Sequence, residues 1–378
     1  MPPASLPAVR PREVALRRLR LPLVSPFRTP LTTMTERTLV VVAVDCGEHT
    51  GWGECVALPE PVYSPEWVDG AHEVLRRFLV RAILATDALI PSEVAQRLAF
   101  IRGHPMAKAA LEMAVLDASL RFAGVSLATF LGASRDTVEV GVAVGMAESI
   151  ESLLAEVDRY LGDGYQRIKL KIEPGWDLEP VAAVRGHVGP DVALQVDANA
   201  AYGPDDIAHL VALDRFGLLL IEQPFSPADL RAHARLAEAV VTPICLDESI
   251  ESEADAVKAV EMGACSVINL KPGRVGGYLQ ARRIHDLCLE RGVGLWCGGM
   301  LETGLGRAAN LALASLPGFS LPSDISASDR YYRPDLTEAF VLGKGSTIAV
   351  PAGAGIGVAP DPAVLDAATT TVEVLRPD

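Results

Sequence analysis

The sequence predicts an α/β protein, a (β/α)7β TIM-like barrel with an α+β capping domain. Three observations carry this. Short β-branched runs alternate with helix-sized segments from about residue 138 onward, sheet-like residues precede helical ones before that point, and the polar residues that end the β runs recur at nearly constant spacing.

The first third reads as the cap. Val14–Leu21, Thr38–Asp45 and Gly51–Glu54 join β-branched and apolar residues to turn glycines, which predicts an antiparallel sheet. The Arg-rich start, Arg10 to Arg20, alternates as a first strand does and is read as one rather than as a transit peptide. Apolar residues then recur at helical spacing in Ala71–Leu84, Pro91–Arg102 and Met106–Ala123. Sheet first and helices afterwards give an α+β cap over residues 1–134, completed by about 326–378, where strand and turn character returns. Over residues 135–325 come Val138–Val144, Arg167–Ile172, Val192–Val196, Leu218–Ile221, Pro243–Leu246, Ser266–Leu270 and Gly294–Cys297. Each precedes a helix-sized segment, and that many strand-helix units in succession close into a barrel.

The 378 residues, 49% hydrophobic and 22% charged, suit a compact barrel plus a cap. A net charge of -14 and a pI near 5.0 would repel phosphate backbones and anionic membranes, so no nucleic acid and no membrane partner is expected. No apolar run approaches the roughly 18 residues that span a bilayer, and no signal-peptide pattern is present. A cytoplasmic protein is expected. Cys46, Cys55, Cys245, Cys265, Cys288 and Cys297 form no CxxC pair and lie mostly in apolar stretches, which favours buried free thiols over disulfides or zinc.

The chemistry is read from the carboxyl ends of the β runs. Lys169 and Lys171 are followed by Asp197, Glu222, Asp247 and Lys271, and the successive gaps from Lys171 are 26, 25, 25 and 24 residues. One such gap is one strand-helix unit, so the residues land at one height on the rim where barrel active sites sit, with side chains converging. Three neighbouring carboxylates in a partly dry cavity repel one another and need a cation. All-oxygen ligation fits Mg²⁺, with Mn²⁺ or another divalent cation as the alternative. Lys169 and Lys171 alternate with Ile168, Leu170 and Ile172, so both should point into the barrel mouth. A lysine crowded by a metal and a second ammonium is expected to have a lowered pKa, to about 7–8, suited to general-base work. Lys171 and Lys271 would then flank the substrate as a base and acid pair, while the metal takes up the charge left when a proton leaves the carbon next to a carboxylate.

Ile168-Lys-Leu-Lys-Ile, Val196-Asp-Ala-Asn, Ile221-Glu-Gln-Pro, Leu246-Asp-Glu-Ser, Asn269-Leu-Lys-Pro-Gly-Arg and Trp296-Cys-Gly-Gly-Met-Leu-Glu-Thr-Gly together resemble the muconate-lactonising subgroup of the enolase superfamily. Within it the match is to the o-succinylbenzoate synthase and N-acylamino acid racemase family, over nearly the whole chain. The resemblance implies that Asp197, Glu222 and Asp247 bind Mg²⁺, that Lys171 and Lys271 face opposite sides of the α-carbon, and that Lys169 supports the carboxylate. It implies substrate-binding roles for Asn199, Phe27, Leu58, Tyr63, Gly299, Met300 and Leu301, and a homo-oligomer acting on a small-molecule carboxylate. Arg274 is expected to keep Lys271 readily deprotonated through its charge, against the plainer reading of a surface arginine at a helix start. His104, where relatives carry another residue, is read as a helix cap without a catalytic role.

Two activities use these residues: dehydration of a cyclohexadiene carboxylate to o-succinylbenzoate, which belongs to menaquinone synthesis, and racemisation of N-acylamino acids. A muconate-type cycloisomerase and a dipeptide epimerase are the alternatives. The epimerase would carry acidic residues in the eighth-strand region to hold the substrate ammonium, whereas that region is read here as Gly298-Gly-Met-Leu-Glu-Thr-Gly. A Schiff-base aldolase-type barrel is the reading from a different mechanistic class, and three neighbouring carboxylates argue against it. A non-catalytic scaffold would have no need of inward lysines beside carboxylates.

Overall fold

The computed structural model describes residues 6–29 and 32–377. The cap is built on three antiparallel strands, β1 (Glu13–Arg28), β2 (Thr33–Asp45) and β3 (Thr50–Cys55), in sequential order. The last strand, Thr369–Leu375, returns to pair with β1. Gly47 turns the chain between β2 and β3 at φ +96°, a conformation that costs glycine little.

Helix Pro105–Ala123 follows, and its alanine- and methionine-rich sequence is buried on nearly every side. A helix apolar all round belongs inside, and this one lies against β3, with Gly51 and Gly53 admitting its backbone. A Cβ on Gly53 would fall 1.9 Å from the Ala110 carbonyl oxygen. His104 precedes this helix in a left-handed conformation, but its imidazole makes no cap hydrogen bond. The cap comes instead from Glu66, which accepts from the Met106 and Ala107 N–H groups at 2.8 Å each. The expected helix Pro91–Arg102 is reduced to two short turns ending at Arg97.

The barrel departs from expectation at its start. Val138–Val144 is two strands: β4 (Thr137–Glu139) pairs with Thr347–Ala349 outside the barrel, and β5 (Val142–Val144) is the first stave. Then come β6 (Arg167–Lys171), β7 (Ala193–Asp197), β8 (Ile221–Glu222), β9 (Ile244–Leu246), β10 (Val267–Leu270) and β11 (Gly294–Cys297), parallel and in sequential order. Helical segments separate them. Several open on side chains that accept from otherwise free N–H groups, as Ser149 and Ser252 do.

The eighth stave is irregular. Residues 319–324 receive no strand pattern from Leu321-Pro-Ser-Asp, yet they close the ring. Asp324 N–H donates to Cys297 O at 2.9 Å on the β11 side, and Gly141 N–H donates to Ser323 O at 2.8 Å on the β5 side. The region assigned to the eighth strand in the sequence, Gly298-Gly-Met-Leu-Glu-Thr-Gly, is the loop after the seventh and runs to the start of helix Gly304–Ala314, because β11 ends at Cys297. The true eighth position carries an acid, Asp324.

Candidate active site

Strand β6 places three long cations on one face. Arg167, Lys169 and Lys171 alternate with Ile168 and Leu170, and all five residues are buried. Register carries the pattern onward: Lys171 stands beside Asp197, and Asp197 beside Glu222. Counting staves from β5, Lys171 ends the second and Lys271 follows the sixth. In a ring of eight these lie diametrically opposed, with Asp197, Glu222 and Asp247 on the three staves between them.

The lysines hold the carboxylates closely. Lys171 Nζ is 2.6 Å from Asp197 Oδ2 and 2.5 Å from Asn199 Oδ1. Lys169 Nζ is 3.1 Å from both Asp197 and Glu222 and 2.6 Å from Asp324. Opposite, Lys271 Nζ donates to Asp247 Oδ2 at 2.8 Å and to the Tyr63 hydroxyl at 3.1 Å. Arg274 is a buried partner of the same group, not a surface residue. It pairs with Asp247 Oδ1, donates to Tyr63 at 3.0 Å, and is fixed by the Ile250 and Asn269 carbonyls at 2.7 and 2.6 Å.

These neighbours set the acidities. Burial favours the neutral amine of Lys271, but Asp247 and Tyr63 outweigh it, so its pKa is raised where these neighbours act alone, whereas the lowering expected from the sequence is that of an amine beside a bound cation. Arg274 pulls the other way, in the direction expected of it. Lys169 is likewise raised: burial opposes its charge, and Asp324, Glu222 and Asp197 overcome that. Burial pushes Glu222 up to about 8, helped by the negative charges of Asp197 and Asp247. Glu248 stands at about 7 through burial and the same two neighbours.

That crowding is the test of fit for a divalent cation. Among the described residues no three His, Cys, Asp or Glu side chains form a ready-made metal shell, so the expected convergence is one of position, not of finished ligand geometry. The three carboxylates raise one another's pKa at close quarters, Glu222 resists ionisation, and Glu248 Oε2 is buried without a hydrogen-bond partner. An oxygen-rich, mutually repelling set of this kind suits a hard cation.

Beside it lies a small, partly open cavity. Its walls include Lys171 and Lys271 and all seven residues proposed for substrate: Phe27, Leu58, Tyr63, Asn199, Gly299, Met300 and Leu301. Lys169 is not on the wall; it sits deeper, among the carboxylates. Thr29, Thr32, Met34 and Val62 complete the lining and were not singled out from the sequence, since isolated threonines and apolar residues of the cap carry no chemical signature. Asn199, Gln223 and Leu301 hold φ of +42°, +39° and +57°, a cluster of left-handed non-glycine residues on the loops that shape the site. Gln223 is held by its own side chain, whose oxygen accepts from the Asp247 and Ser249 N–H groups at 2.9 and 3.2 Å.

Sequence reasoning also missed Asp324, Glu248 and Asn269. Glu248 follows Asp247 directly, and Asn269, two residues before Lys271 on the inward face of β10, donates to Glu222 Oε1 at 2.7 Å. The alternation that exposed Lys169 would have found Asn269.

Known proteins match the chain along nearly its full length. Residues 12–132 match the N-terminal domain of the mandelate racemase / muconate lactonizing enzyme family, and residues 152–364 match the family described as enolase C-terminal domain-like. The chain is 56% identical over 357 residues to an N-succinylamino acid racemase from an Amycolatopsis species, covering 94% of this chain and 97% of that one. It is 47% identical over 351 residues to an o-succinylbenzoate synthase from Geobacillus kaustophilus, covering 93% of each. A solved structure of an enolase-superfamily member from Listeria innocua superposes with a TM-score of 0.93 at 38% identity, covering 97% of this chain and 99% of that one. An L-Ala-D/L-Glu epimerase from Bacillus subtilis is more distant, at 30% over 90% of this chain. The chain belongs to the mandelate racemase / muconate lactonizing enzyme family of the enolase superfamily, a family of divalent-metal-dependent enzymes.

Proposed function

We propose that this enzyme uses Mg²⁺ to remove the α-proton of a small carboxylate substrate, acting as an N-succinylamino acid racemase, an o-succinylbenzoate synthase, or both. The observation that carries the reading is the pair Lys171 and Lys271 facing each other across one cavity, with the three carboxylates on the staves between them. Identities of 56% and 47% to proteins bearing those two names support the substrate class, and the more distant epimerase supports it less.

Asp197, Glu222 and Asp247 would hold Mg²⁺, which supplies positive charge where the substrate carboxylate becomes more negative. In racemisation one lysine takes the α-proton from one face and the other lysine delivers a proton to the opposite face. In the synthase reaction Lys171 takes the α-proton of a hydroxylated cyclohexadiene carboxylate and a lysine ammonium protonates the departing hydroxide. Water and an aromatic ring are the products. Lys169 supports the carboxylate in both. Arg274 favours the neutral form of Lys271 by its charge, while Tyr63 and Asn199 orient the two amines from the cavity wall. Work in the cytoplasm as a homo-oligomer completes the proposal.

The test supplies purified enzyme with Mg²⁺ and, in parallel, N-succinyl-phenylglycine and the cyclohexadiene acid. Inversion by polarimetry and aromatic absorbance should both appear and both vanish with EDTA. A metal-bound, folded enzyme inert toward both substrates would refute the substrate class. Activity indifferent to EDTA would refute the metal.

A further inference from the structure

We infer that Asp324 is a positioning residue that draws the Lys169 ammonium toward itself and loosens its hold on Asp197 and Glu222, so that a divalent cation can take its place there. The inference rests on the metal-site reading above and goes beyond it to a residue on the eighth stave.

The geometry is a contest for one ammonium. Lys169 Nζ has three carboxylates around it, and Asp324 Oδ2 at 2.6 Å is nearer than Asp197 or Glu222 at 3.1 Å each. Attraction between charges falls with distance, so Asp324 takes the largest share. Asp324 is itself fixed from behind. Its Oδ1 lies 2.6 Å from Arg167 Nη1, and the other Arg167 nitrogen, Nη2, donates to the Pro322 carbonyl at 3.0 Å. Its own N–H is tied to Cys297 O at 2.9 Å. The Trp296 ring lies beneath both cations, 4.9 Å from Lys169 Nζ and 5.6 Å from the Arg167 guanidinium carbon.

Arg167 and Lys169 are one inward step apart on β6, and the irregular eighth stave brings a carboxylate to meet both. Without Asp324, Lys169 would have Asp197 and Glu222 as its only carboxylates and would settle fully upon them. A permanent cation there competes directly with a divalent one. Groups that orient metal ligands from behind typically change metal affinity about 10–100-fold when replaced.

The experiment titrates Mg²⁺ by calorimetry into wild type, Asp324→Asn, Asp324→Glu, Lys169→Ala and the Asp324→Asn/Lys169→Ala double variant, with no substrate present. Asp324→Asn should weaken binding roughly 10-fold or more, and Asp324→Glu, which keeps the charge, should recover most of it. In the Lys169→Ala background Asp324→Asn should have no further effect, because the ammonium it restrains is gone. Asp324→Ser serves in place of Asn should that variant not fold, as judged by circular dichroism. Unchanged affinity in Asp324→Asn, or an equal loss with and without Lys169, would overturn the inference and leave the functional proposal standing. A wild type that binds no Mg²⁺ would overturn both.

Discussion

Gly298 stands where no side chain fits. A Cβ there would fall 2.1 Å from Asn269 Oδ1 and 2.6 Å from Lys271 Cε, two atoms that the site needs in place. Gly298→Ala is therefore expected to displace Lys271 and lower kcat roughly 100-fold or more, since about an ångström of misplacement costs that much. Steady-state kinetics beside a circular dichroism spectrum would check it, and full activity would mean that Lys271 does not act from its present position. The residues legible in the sequence were those set in a regular pattern. Lys169 and Lys171 stood out because alternation on β6 turns them inward, and Asp197, Glu222 and Asp247 because they recur once per strand-helix unit. Asp324 escaped because Leu321-Pro-Ser-Asp has no strand pattern. Arg274 could be read as a charge acting on Lys271 or as a surface residue, because a four-residue helix, Pro272–Val275, gives no apolar face to judge burial by.

At the scale of elements, the cap and barrel are joined by buried carboxylates at helix starts. Glu54 on β3 accepts from the Thr303 and Gly306 N–H groups, both at 3.0 Å, at the start of helix Gly304–Ala314. Glu112, in the buried cap helix, does the same for Tyr278 and Leu279 at 2.9 Å each. Burial raises both, and Glu66 with them, from an ordinary 4.5 to about 7, although backbone hydrogen bonds and the positive helix ends pull down. A carboxyl whose folded pKa is raised binds its proton more tightly in the fold than in the unfolded chain. Its contribution to stability is therefore complete below about pH 4.5 and lost as pH rises through about 7. Denaturant midpoints should fall between about pH 4.5 and 7, and Glu112→Gln should flatten that slope by about one proton's share. An unchanged slope would mean that Glu112 is ionised throughout. These joints were hidden from the sequence, where each glutamate sits among apolar neighbours with no capping pattern nearby. The capping role given to His104 belonged to Glu66, which comes from a loop some 40 residues away.

The whole molecule was the most legible level, because a barrel repeats itself. Seven of its staves announced themselves as apolar runs, and the eighth did not, being held by backbone hydrogen bonds to β11 and to residues beside β5 rather than by strand-forming side chains. The three carboxylates and their repulsion make a second global prediction. Mg²⁺ should raise Tm in proportion to the logarithm of its concentration above the Kd, and EDTA should reverse the rise, as binding to the folded state alone requires. No shift at saturating Mg²⁺ would remove the metal from the account.

The central claim is that two lysines act from opposite faces of one carbon. It is tested most directly by following α-proton exchange in D₂O by NMR, separately for each enantiomer of an N-succinyl amino acid, in wild type, Lys171→Ala and Lys271→Ala. Wild type should exchange both enantiomers and interconvert them, while each variant should lose interconversion and retain exchange of at most one enantiomer, a different one in each case. Loss of the same enantiomer in both variants, or interconversion that survives either substitution, would contradict the two-faced site.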